Sequence, residues 1–223
     1  MITIEHLRYR ALAIEDLEIP GGITSLIGQN GSGKTTFLKL CAGIAEPESG
    51  SILIDGIPPR KREVGWVNEF PDRNILFGTA ADEIASPLMF RQLTCSEISR
   101  RVKTCMDSMG ISFLRERKVR DLSGGEKILV ALAAALVIDP EVLILDEYDS
   151  HLDATHCEQV EELIRTREIP YVVRCTQQME TATQGNYLMY AETGRIKERG
   201  NPEDVFRALS NTPFYPLSWR CRA

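Results

Sequence analysis

The stretch GQNGSGKT, Gly28 to Thr35, limits what this chain can fold into more than any other part of it. It follows the compact apolar run GITSLIG at 22–28 and opens a helical pattern expected from about Lys34 to Cys41. Strand, glycine-rich loop and helix in that order form a phosphate-binding unit. Glycines let backbone N–H groups wrap a pyrophosphate, and the helix start adds the positive end of its dipole. On this basis Gly28, Asn30, Gly31, Ser32 and Gly33 form a cradle and Lys34 reaches the β and γ oxygens. Thr35 offers its hydroxyl to Mg²⁺, and Thr36 covers the α-phosphate. The alternative, a glycine-rich turn that happens to precede a helix, is set aside because the whole motif matches in its required context.

The rest of the pattern agrees with an α/β layer fold built on a largely parallel sheet, because short apolar strands recur between helical stretches. ITIEHLRY at the N-terminus alternates like an antiparallel strand, and GSILIDG and EVGWVNE read as two more strands. From about 79 to 120 the pattern turns helical, which predicts a helical subdomain within a single domain spanning 1–223. A helix at 124–137 is apolar nearly all round, and EVLILDE is a continuous apolar strand of the parallel-sheet kind. A helix at 153–167, a strand at 170–175 and the hairpin-like YLMYAETGRIKERG complete the core. The tail NTPFYPLSWRCRA has two prolines and no periodicity, and reads either as an ordered flap or as a loose end.

Composition narrows the function classes. A chain of 223 residues with 43% hydrophobic content can bury one full core with a small subdomain attached. A formal charge of -6 without a Lys/Arg block argues against a nucleic acid held mainly through its phosphates. The cysteines at 41, 95, 105, 157, 175 and 221 have neither Cys-x-x-Cys spacing nor neighbouring histidines, and read as reduced cytosolic thiols. The longest apolar run, ILVALAAALVI at 128–138, falls short of the roughly 20 residues of a bilayer span. No signal-peptide pattern opens the sequence, so membrane contact is expected through a partner.

Two further motifs carry chemistry. LILDE ends in Asp146 and Glu147, at the carboxyl edge of a buried strand where ligands of α/β sheets sit. One carboxylate suits Mg²⁺ through water, and the other suits orienting and deprotonating an attacking water. An isolated Asp-Glu would sooner be a polar strand end, but a phosphate loop in the same chain favours the functional role. In LSGGE, Ser123 and Glu126 form a capping box, while Gly124 and Gly125 leave bare N–H groups at a positive helix end, an anion site. Cap and anion site can coexist.

Phosphate loop, helical stretch, LSGGE, apolar strand with Asp-Glu, then SHLD: in this order the motifs resemble the ATP-binding-cassette family over roughly residues 2 to 205. The resemblance implies a P-loop NTPase fold with a mostly parallel core, an antiparallel β subdomain and a helical subdomain. It implies a head-to-tail dimer, with a second cassette chain identical or different, in which ATP and Mg²⁺ on one phosphate loop are capped by Ser123, Gly124 and Gly125 of the other. Asp153 in SHLD would lie at that seam. The stretch GWVNEFPDRNILFGTAADEIA is similar to the ATPases of energy-coupling-factor importers for vitamins, cobalt or nickel, which implies an integral-membrane partner and a cytoplasmic, peripheral location.

The chain departs from the family at two positions. TQQME puts Gln177 where the family carries a switch histidine beside the γ-phosphate, and VNEFP puts Glu69 where it carries a glutamine that joins Mg²⁺ and the attacking water. Gln177 keeps an N–H donor and could retain a charged hydrogen bond of about 1.5–3 kcal/mol. It cannot titrate, so any proton-handling share is lost, on the order of 10²–10⁴-fold. Glu69 can ligate Mg²⁺ but repels a γ-phosphate by about 4 kcal/mol at 4 Å and an effective dielectric of 20 unless the metal screens it. ATP binding with impaired but not absent hydrolysis is the expectation, with Glu147, Gln177 and Glu69 as the catalytic set and Thr35, Asp146 and Glu69 as the metal set. In a heterodimer this site would be the slow or regulatory half; in a homodimer both changes are tolerated variation. A soluble cassette outside transport is disfavoured by the short span between phosphate loop and LSGGE. Tyr9 is the available adenine platform or else a core strand residue, and His151 and His156 carry no catalytic role.

Overall fold

A computed structural model describes residues 1–70 and 75–220; positions 71–74 of the importer-like stretch and positions 221–223, including Cys221, lie outside the description. In chain order the strands are β1 Ile2–Tyr9, β2 Leu12–Ile19, β3 Gly22–Gly28, β4 Ser49–Ile54, β5 Val64–Val67, β6 Val142–Asp146, β7 Tyr171–Cys175, β8 Tyr187–Glu192 and β9 Arg195–Gly200. The helices are α1 Lys34–Cys41, α2 Ala80–Met89, α3 Cys95–Ser108, α4 Gly124–Leu136, α5 Ala154–Thr166, α6 Met179–Ala182, α7 Pro202–Ala208 and α8 Leu217–Arg220. None of the described helices is long and apolar enough to cross a membrane. The chain divides into two compact units.

The first unit comprises Met1–Arg62, Ile144–Glu147 and the chain from Pro170 onward. Its antiparallel sheet runs β2-β1-β4, with Ile4 opposite both Leu17 and Ile52. Its second sheet runs β6-β7-β3-β8-β9, with β3 parallel to both neighbours and β9 turned back antiparallel on β8. Every residue of β6 and β7 is buried, as expected for parallel strands covered on both faces. Because β3 lies in the middle, Leu26 pairs with Cys175 on one side and Met189 on the other. The phosphate-loop strand is thereby fixed from both edges.

The second unit takes in Glu63–Leu143 and Tyr148–Ile169, and so includes the predicted helical stretch together with α4 and α5. Its helices start on side-chain caps: Thr79 on α2, Thr94 on α3, Ser123 on α4 and Asp153 on α5 each accept from a first-turn N–H. Ile84, Leu88, Met106, Ile128, Leu132 and Val160 are among its fully buried apolar side chains.

Three features depart from the sequence expectation or go beyond it. β2 is a full strand joined to β1 by the two-residue turn Arg10-Ala11, with Tyr9 paired to Leu12. α7 begins after Asn201, whose side chain caps it, with Pro202 at its first position. The described part of the tail is ordered and ends in α8. Among the described cysteines all thiols are free, and burial pushes those of Cys41 and Cys105 up and that of Cys157 up to about 11. Such thiols are poor nucleophiles.

Candidate nucleotide-binding and hydrolysis site

Backbone geometry builds the cradle. Gly28, Gly31 and Gly33 have φ of 148°, 80° and 99°, in the region that side-chain-bearing residues rarely adopt. A Cβ on Gly28 would lie 2.2 Å from the Ala191 carbonyl oxygen, so that position admits glycine alone. Gly31 has no atom within 4 Å of a Cβ position and faces open space. Gly33 is the N-cap of α1 and supplies no side-chain cap, which leaves the first N–H groups of the helix for a ligand.

Around this loop the charged groups converge. Lys34 is buried, and its Nζ donates to the carbonyls of Gly28 at 2.9 Å and Gln29 at 3.2 Å. The same Nζ lies 3.8 Å from Glu147 Oε1. The Thr35 hydroxyl donates to Asp146 Oδ1 at 3.2 Å. Glu147 follows β6 at a positive φ of 49°, its N–H bound to the Cys175 carbonyl at 3.0 Å, so the carboxylate swings off the strand end toward the loop. Its Oε2 accepts from Gln177 Nε2 at 2.9 Å, and the Cys175 thiol lies 3.8 Å from its Oε1. Gln177 Nε2 also donates to Asn30 Oδ1 at 3.0 Å. Gln177, two residues past the end of β7, thus faces the phosphate loop and the carboxylate together.

One observation tests whether a phosphate and its metal fit. Ser32 is 4% exposed, and its Oγ is the one buried side-chain N or O without a hydrogen-bond partner among the described residues. An orphaned hydroxyl inside a ring of glycine N–H groups and a lysine is relieved by a phosphate oxygen. Thr35 and Asp146, within 3.2 Å of each other, are an oxygen pair that would suit Mg²⁺.

The sequence profile of the ABC transporter family matches residues 17–150, more than half of the chain. The chain belongs to the ABC transporter family. It is therefore an ATPase of the cassette type. It is 33% identical to the energy-coupling factor transporter ATP-binding protein EcfA1 of Latilactobacillus sakei, over 92% of this chain and 80% of that one. It is 38% identical to the molybdate/tungstate import ATP-binding protein WtpC of Pyrococcus horikoshii, over 81% of this chain and 55% of that one. Among solved structures it resembles cbiO1 of Clostridium perfringens, part of the ABC transporter complex cbiONQ, with a TM-score of 0.81, 26% identity and 95% of each chain covered.

The remaining cassette residues stand in their own local settings. Tyr9 ends β1 half-buried, with the Arg10 guanidinium 5.3 Å from its ring centre, so one face already carries a cation. In the second unit, Ser123 and Gly124 are exposed at the start of α4 and Gly125 is half-buried. The capping box is complete: Glu126 N–H donates to Ser123 Oγ at 3.2 Å, and Ser123 N–H donates to Glu126 Oε2 at 2.7 Å. These bonds hold the Glu126 carboxyl below its ordinary range, the Ser123 backbone N–H being the main cause. Glu69 lies on a bend just past β5, half-buried. Asp153 caps α5 by accepting from His156 N–H at 2.9 Å, and the His156 ring lies against the same oxygen. The side chain of His151 lies outside the description.

Sequence reasoning missed the outer wall of the cradle. Gly194, in the turn between β8 and β9, donates to the Ser32 carbonyl at 3.1 Å and accepts from Ala13 N–H at 2.8 Å. A Cβ there would lie 2.0 Å from the Ala11 carbonyl oxygen. Thr-Gly at a hairpin tip signals a turn; nothing in it signals contact with a loop so distant in sequence.

Proposed function

We propose that this chain is the ATP-binding and hydrolysing subunit of a membrane importer, working through a nucleotide-sandwich dimer at the cytoplasmic face. The observation that carries it is the single constellation of Lys34, Thr35, Asp146, Glu147 and Gln177 around an orphaned Ser32 hydroxyl. The importer reading is supported by the relatives, whose names assign them to energy-coupling-factor and molybdate/tungstate import.

In this function the glycine loop and Lys34 hold the β and γ phosphates, and the low exposure of Lys34 strengthens its attraction for them. Glu147 orients the attacking water and takes its proton, since phosphoryl transfer needs mainly positioning and charge neutralisation. Thr35 and Asp146 would hold Mg²⁺, which would supply that neutralisation when bound; Glu69 is proposed as a further oxygen donor on its sequence position alone. Gln177 replaces a titratable switch with an amide, so turnover at this chain's own site is slow. Ser123, Gly124 and Gly125 present N–H groups that cap the nucleotide of a second cassette chain, identical or different. Tyr9, with Arg10 on one face, offers the other face to adenine.

The test is the Mg-ATPase rate of the wild type beside Gln177→His and Glu69→Gln. Both substitutions are expected to accelerate turnover; equal rates in all three would remove both residues from the limiting step. Failure to co-purify with any integral-membrane protein from native membranes would remove the importer role. A second reading, an ATP-gated regulatory half of a heterodimer, is favoured by the Gln177 amide holding Glu147. Brisk phosphate release by a homodimer would eliminate it.

A further inference from the structure

The tail that has no period in sequence packs where the hydrolysis site needs support. Phe214, Tyr215 and Trp219 pack against a buried cluster that includes Ile27, Ala182, Tyr190 and Phe206. Phe214 lies 5.2 Å from the Tyr190 ring, and Trp219 sits edge-on to Phe206 at 5.4 Å and to Tyr215 at 6.1 Å. Ile27 immediately precedes Gly28 of the cradle. Ala182 belongs to α6, whose Met179 packs on the same cluster and whose N-cap is Gln178. The Ser218 N–H reaches Glu180 Oε1 on α6 at 3.4 Å.

A helix of one turn does not hold itself, because nucleation costs more than a single turn returns. The position of α6, and of Gln177 just before it, is therefore set by its neighbours. On the inner side Arg174, 0% exposed, donates to the Thr181 carbonyl at 2.5 Å and to Ser25 Oγ at 3.0 Å. The outer side is the aromatic tail. We propose that Phe214 to Trp219 form a positioning clamp that acts through α6 to hold the Gln177 amide on Glu147 and the phosphate loop. The clamp rests on the assignment of the hydrolysis site above, and goes beyond it by making the tail part of the catalytic geometry. A misplacement of about 1 Å in such a group costs on the order of 10²-fold in rate.

The chain has two tryptophans, Trp66 and Trp219, so Trp66→Phe leaves Trp219 as its sole indole reporter. In that full-length variant, Mg-ATP is expected to shift Trp219 emission with the same half-saturation as nucleotide retention on a filter. Adding Gln177→Ala is expected to abolish the shift while nucleotide is still retained. In the otherwise wild-type chain, Trp219→Ala is expected to lower kcat by about tenfold or more with little change in KM, and Trp219→Phe to restore it. Silent Trp219 emission across a titration that fills the site overturns the clamp even if Trp219→Ala fails to fold, as does a Trp219→Ala enzyme with wild-type kcat. No retained nucleotide at all would instead overturn the site, and the clamp with it.

Discussion

Gly194 and Arg174 are small parts of the sequence with large structural duties. Gly194 combines a φ of 75° with a Cβ position 2.0 Å from the Ala11 oxygen, so Gly194→Ala must push the hairpin off the loop. The expected cost is about 1–3 kcal/mol in urea unfolding, with weakened ATP binding because the Ser32 carbonyl loses its donor. Unchanged affinity in the Gly194→Ala enzyme would show that the outer wall is dispensable. Arg174→Met keeps bulk but strands the Ser25 hydroxyl and the Thr181 carbonyl, and leaving a buried polar group unmet costs about 1–3 kcal/mol. A lowered melting temperature is expected; a raised one would mean that desolvation of the guanidinium outweighed its bonds. Residue by residue, the sequence pointed to Lys34 and Thr35 by the fixed spacing of the phosphate loop, to Asp146 and Glu147 by their place at the end of an apolar strand, and to Gln177 only through the family resemblance of TQQME. It was silent on Asn30 as an acceptor for Gln177 and on Ser32 as an orphan, since both facts depend on which atoms meet across distant segments.

At the scale of elements, the start of α4 joins a structural cap to the proposed nucleotide-capping surface. Ser123→Ala is expected to cost about 1 kcal/mol from loss of the cap alone. Glu126 adds a pH signature. Its folded pKa is lowered, chiefly by the Ser123 N–H, so its contribution is fully present above the ordinary glutamate value of 4.5 and is lost as pH falls through the lowered value. The stability gap between wild type and Glu126→Gln should therefore close as urea titrations move from neutral pH to acid; a gap that widens would contradict the capping geometry. The elements that the sequence disclosed best were bounded apolar runs, β3, α4, β6 and β7, with α1 placed by the phosphate loop that opens it. β2 escaped because its turn, Arg10-Ala11, contains no glycine, asparagine or aspartate, although Arg10 takes a φ of 54°. The tail escaped because Phe214, Tyr215 and Trp219 reach their cluster from irregular backbone and one turn of helix, which leaves no repeat to read.

For the molecule as a whole, the proposed pairing of two chains makes a concentration-dependent prediction. Glu147→Gln removes the proposed base but keeps the volume, so Mg-ATP should accumulate in the site and hold two chains together. Light scattering is expected to show a doubled mass for Glu147→Gln with Mg-ATP and a single mass when Lys34→Ala is added. A single mass in both would remove the paired arrangement. The order of events during synthesis follows from the wall around the phosphate loop. The loop comes early in the chain, yet its strand is flanked by β7 and β8 and its Ser32 carbonyl is held by Gly194. A polypeptide still emerging from the ribosome can present every glycine of the motif and is expected to grip a nucleotide poorly until the hairpin that carries Gly194 has followed it. Nucleotide capture is thus expected late in the life of each new chain, once the distant segments walling the loop have been made and have found their places.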